Sequence, residues 1–96
     1  MEALGMIETR GLIGCIEAAD VMVDTANIEL VKYEKTGNGI VTILIRGQVA
    51  DCRAAVDAAA AAVERIGQLL STHVIPYPYK DLEGSLPINI EEIKRG

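Results

Sequence analysis

NIELVKYEKTGNGIVTILIRG, residues 27–47, is the stretch that decides the fold. From Asn27 the side chains alternate, with Ile28, Leu30 and Lys32 on one face and Glu29, Val31 and Tyr33 on the other. A period of two is the signature of a half-buried strand. Lys35-Thr36-Gly37-Asn38-Gly39 interrupts the run with residue types that favour a tight turn. Ile40 to Ile45 then form a nearly unbroken β-branched run, which predicts a strand covered on both faces. Strand, short glycine loop and strand make a hairpin.

Outward from the hairpin, both flanks change period. Upstream, residues 2–9 place Leu4 and Met6 on one face and Ala3, Gly5 and Ile7 on the other, a further strand. Gly11 opens a stretch in which Leu12, Ile16, Ala19, Val23 and Ala26 recur in steps of four and three, with Glu17, Asp20 and Asp24 outside that stripe, as in an amphipathic helix. Downstream of Gly47, a second stripe runs through Cys52, Val56, Ala59, Val63, Ile66 and Leu70. Its many alanines make that helix stable and thin, so another backbone can approach it closely. Gly67 helps to end it, and Leu70 to Ile75 read as a last strand that Pro76 and Pro78 stop. The order β-α-β-β-α-β is the split βαβ arrangement of the α+β, ferredoxin-like fold. It implies one antiparallel sheet with two helices on one face. The other face is left to a partner, to the tail from Lys80 to Gly96, or to solvent.

Ninety-six residues, half of them apolar, suffice for one domain with a core at about residues 2–78 and a short C-terminal tail, 79–96. A formal charge of −5 opposes binding to nucleic acid or to an anionic membrane, and three tyrosines without Phe or Trp offer no base-stacking platform. The first residues carry no leader pattern and no apolar run reaches membrane length, which places the chain in the cytosol. Cys15 and Cys52 lie in apolar segments without a CxxC spacing and read as buried free thiols. The single histidine, His73, has no acidic or thiol residue at metal-ligand spacing, and Ser71 and Ser85 sit in no nucleophile elbow. Asp20, Asp24, Asp51, Asp57 and Glu64 decorate helices as solvated faces do, without an acid/base pair. These features argue against an enzyme, a metal site or a cofactor. The loop Gly37-Asn38-Gly39 has two readings: a plain turn, or a polar contact surface for small anions or neutral metabolites.

Taken together, Glu2 to Leu12 (EALGMIETRGL), Glu34 to Gly39 (EKTGNG), Arg46-Gly47 and His73 to Pro76 (HVIP) resemble the hexamer-forming shell proteins of bacterial microcompartments, over roughly residues 2–80. The likeness is greatest to the major hexagonal tiles (BMC domains) of the propanediol, ethanolamine or choline metabolosomes. The resemblance implies a structural protein in the microcompartment shell within the cytoplasm. It implies a flat cyclic homohexamer that associates with other shell proteins and with encapsulated enzymes. It implies a central pore for small polar metabolites, lined by Gly37, Asn38 and Gly39 with Lys35 near its rim. Two residues depart from the family pattern at the inter-hexamer edge: Asp24 stands where a lysine is usual, and Tyr77 where an arginine is usual. Gln48 occupies a position where an acidic helix cap is common. The same core also suits a regulatory domain that binds a small metabolite as a dimer or trimer, the reading from another class.

Overall fold

In the computed structural model, residues 2–76 are described. They form β1 (Glu2–Arg10), α1 (Leu12–Thr25), β2 (Ile28–Lys35), β3 (Ile40–Gln48), α2 (Val49–Arg65) and β4 (Leu69–Ile75). The strands make one sheet in the order β2-β3-β1-β4, antiparallel at every pairing. This is the expected split βαβ topology. β2 and β4 are its edges. The tail 79–96 and Tyr77 lie outside the described residues.

Both helices pack on the same face of the sheet. Alternate residues of β1 and β3, in the register Ile7↔Ile43 and Gly5↔Ile45, supply Ala3, Ile7, Val41, Ile43 and Ile45 to the core. α2 meets them with Cys52, Ala55, Val56, Ala59 and Val63. A Cβ on Gly5 would stand 2.8 Å from Ile45 Cγ1 and 3.1 Å from Val56 Cγ2, so glycine lets α2 lie close to β1. On the face away from the helices Leu4 and Leu44 are also buried, which agrees with a two-sided covering of the central strands.

The stripe read from the sequence of α2 packs the core as far as Val63, whereas Ile66 and Leu70 are exposed. For α1 the stripe needs correction. Leu12, Ile16 and Val23 are 45%, 60% and 48% exposed, and the buried face is Gly14, Cys15, Ala18 and Met22. Small residues win most of that face because α1 packs extensively against α2 as well as the sheet, so that glycine, cysteine and alanine line its first half and the one large buried side chain, Met22, comes near its end.

Gln48 sits at the N-cap of α2 with extended backbone and makes no side-chain capping hydrogen bond. Aspartate there accepts from a first-turn N–H and complements the helix dipole. Gln48→Asp is therefore expected to stabilise the chain by about 0.5–1 kcal/mol, read as a higher denaturation midpoint at unchanged slope. An unchanged or lowered midpoint would contradict the cap assignment.

Candidate functional site

The hairpin loop stands at one end of the sheet and Asp24 stands towards the other. β3 begins with the pairs Arg10↔Ile40 and Lys35↔Val41, and ends with Glu2↔Gln48 and Ile28↔Gly47. The Gly11 N–H, just before α1, donates to Gly39 O at 2.8 Å, so α1 starts beside the loop. Asp24 lies twelve residues along that helix, about 18 Å away at 1.5 Å per residue. It is exposed. β4 ends at Ile75, which pairs with Leu4, so that strand also finishes at the Asp24 end.

Within the loop, Thr36 N–H donates to Ile40 O at 2.9 Å and Gly39 N–H to Thr36 O at 3.3 Å. Gly39 has φ 84°, a left-handed conformation that glycine adopts without strain. Gly37 does not use positive φ, so only one of the two glycines is required by the backbone. Lys35, Gly37, Asn38 and Gly39 are all exposed, and the Asn38 side chain meets only the Thr36 hydroxyl, which donates to its Oδ1. Nothing at the loop resembles a general base or a nucleophile. Among the described residues there is no group of three or more His, Cys, Asp or Glu side chains able to hold a metal.

A second surface was not singled out from the sequence. The exposed stripe of α1 and the edge strand β2 form a shallow apolar groove lined by Leu12, Ile16, Ala19, Val23, Leu30 and Tyr33. It runs from the loop end to the Asp24 end, because both α1 and β2 do. The signal was present: α1 carries apolar residues on two stripes, and one sheet can cover only one of them. Across the sheet on the β4 side, Ile66 and Leu70 are exposed as well.

Both thiols are free and buried. Burial pushes each pKa up. Lys35 opposes the rise at Cys15, and Asp51 and Glu2 add to it at Cys52, whose Sγ–H donates to Ala3 O at 3.7 Å. Since the folded pKa lies above the unfolded one, the thiols stabilise the fold below the unfolded thiol pKa, and that contribution is lost as pH rises through it towards the folded value. At neutral pH both should resist an Ellman-type reagent until denaturant is added. Immediate labelling of either thiol in the native protein would contradict its placement.

Comparison with known proteins adds the family. The BMC domain profile matches residues 3–78. The bacterial microcompartment shell protein EutM of Escherichia coli is 56% identical over 91 residues, covering 95% of this chain and 94% of that protein. The shell protein PduA of Salmonella typhimurium is 53% identical over 91 residues, covering 95% and 97%. The carboxysome shell protein CcmK2 of Synechocystis is 49% identical over 92 residues, covering 94% and 89%. Among solved structures, a microcompartment protein from Desulfitobacterium hafniense superposes with a TM-score of 0.74 at 26% identity over 93% of this chain, which spans about half (51%) of that longer one. Sheet order, glycine loop and sequence likeness agree: the chain belongs to the BMC domain family of bacterial microcompartment shell proteins.

Proposed function

We propose that this structural, non-enzymatic shell protein builds a cyclic homohexamer, with the loop Gly37-Asn38-Gly39 around the sixfold axis and Asp24 and Tyr77 at the outer edge. The observation that carries the reading is the end-to-end separation of loop and Asp24 along α1, with the apolar groove running between them. A subunit with one polar tip, one charged base and apolar flanks is a wedge suited to a closed ring. In a ring the contact is heterologous, so the α1–β2 flank of one subunit meets the β4 flank of the next. The pore then passes small polar metabolites between the encapsulated enzymes and the outside. Its constriction carries amides and main chain, and Lys35 sets the potential at its mouth.

Native mass spectrometry tests the ring, with six subunits as the expected result. A dimer or trimer would favour a metabolite-binding regulatory domain instead.

At the seam between discs, two Asp24 carboxylates face each other across a twofold axis. Like charges about 5 Å apart there cost about 1–3 kcal/mol. Asp24→Lys is expected to turn soluble discs into extended sheets or tubes visible by electron microscopy. Discs that stay soluble and separate after that change would remove Asp24 from the seam.

A further inference from the structure

We infer that the Thr36 hydroxyl fixes the Asn38 carboxamide with its Nδ2–H2 group outward, so that the loop presents hydrogen-bond donors and favours small acceptor-rich anions, carboxylates in particular. This inference rests on the pore reading and assigns it a solute class and a positioning residue. A threonine hydroxyl has one proton to give. Its two acceptors within reach are Asn38 Oδ1 and Ile40 O, the latter at 3.3 Å. Ile40 O already receives the Thr36 N–H at 2.9 Å, and the hydroxyl lies much closer to Oδ1. The proton therefore goes to Oδ1, where it takes up one of the two lone pairs on the acceptor half of the amide. Its donor half, two N–H bonds, has no partner among the described residues.

The main chain does not cancel this bias. The N–H and C=O groups of Gly37 and Asn38 are open in equal number, while Gly39 N–H and Gly39 O are both used, towards Thr36 O and Gly11 N–H. The side chain alone tips the loop towards donors. A separate observation has the same sign. The two residues that pair with the first residues of β3, Arg10 and Lys35, are both cations, and neither has an ion pair among the described residues. The neighbouring carboxylate, Glu34, has Lys32 at 3.9 Å. In a chain of net charge −5 this end thus offers positive potential beside oriented N–H donors. A carboxylate meets both, whereas an ammonium ion meets neither.

The test compares acetate with methylammonium, ions of similar size and opposite hydrogen-bonding character, as isotope-labelled flux through shells assembled from the full chain. Thr36→Val keeps the shape and removes the hydroxyl; Thr36→Ser keeps the hydroxyl. The parent is expected to pass acetate about tenfold faster, the ratio set by one charge-assisted hydrogen bond. Thr36→Val should lower that ratio severalfold, to what Arg10 and Lys35 sustain alone, and Thr36→Ser should restore it. In parallel, acetate titration should shift the Asn38 side-chain amide resonances of the parent and of Thr36→Ser but not of Thr36→Val. An equal ratio in the parent and Thr36→Val, or a preference for methylammonium, overturns the inference while leaving the pore in place. If Asn38→Leu changes the flux of neither ion, the pore reading fails with it.

Discussion

Ile16→Glu is expected to give a well-folded monomer in place of a hexamer. In the single chain Ile16 is 60% exposed and belongs to no part of the core, so its replacement leaves secondary structure and the buried face of α1 intact. In the proposed ring the same side chain lies at the middle of the α1–β2 flank, between Leu12 and Val23. Losing a buried isoleucine removes about 1.5–3 kcal/mol, and desolvating an unpaired carboxylate adds several kcal/mol at each subunit contact. A closed ring repeats that penalty around its circumference, and every 1.4 kcal/mol is about a factor of ten in association. Native mass spectrometry and circular dichroism measured together decide the matter. A hexamer that persists in Ile16→Glu would take the groove out of the ring contact, and loss of both hexamer and helix signal would return Ile16 to the folding core.

Asn38→Leu should block polar solutes while the hexamer survives. Asn38 is exposed and its side chain touches only the Thr36 hydroxyl, so the subunit loses one solvent-accessible hydrogen bond. Around a sixfold axis the same change replaces six amides by six apolar side chains and favours dewetting of the constriction. Forfeiting even two hydrogen bonds to a passing solute, at about 1 kcal/mol each, lowers flux about thirtyfold. Metabolite entry into shells built from parent and variant measures it, with native mass as the control. Equal flux would place transport elsewhere, and loss of the hexamer would make the loop a structural element.

The elements were legible because each rests on local chemistry. The alternation from Ile28, the β-branched run from Ile40 and the turn residues between them set the turn and the strand ends beside it to within a residue, whereas β3 continues three residues past Ile45, to Gln48. The alanines of α2 and the prolines after Ile75 fixed the helix and the last stop in the same way. The loop was legible as a site only in part. Sequence identified Gly37-Asn38-Gly39 as more than a turn, but which glycine needs positive φ, and which half of the Asn38 amide is used, depends on where Thr36 and Ile40 come to lie.

The face of α1 was decided by tertiary structure alone. Leu12, Ile16, Ala19 and Val23 have the stronger apolar period, yet the chain buries Gly14, Cys15, Ala18 and Met22. Periodicity records every surface that is removed from water, within the chain or between chains, and it does not tell the two apart. Close packing does. α1 lies against α2 and the sheet together, and the larger apolar stripe is left outside, on the flank proposed to meet a neighbouring subunit. Sequence by itself thus determined the element order, the class of fold and the family likeness. Which apolar stripe faces inward came from the packing of helix on helix, and that loop and Asp24 stand at opposite ends of one flank came from the bond that ties the start of α1 to Gly39.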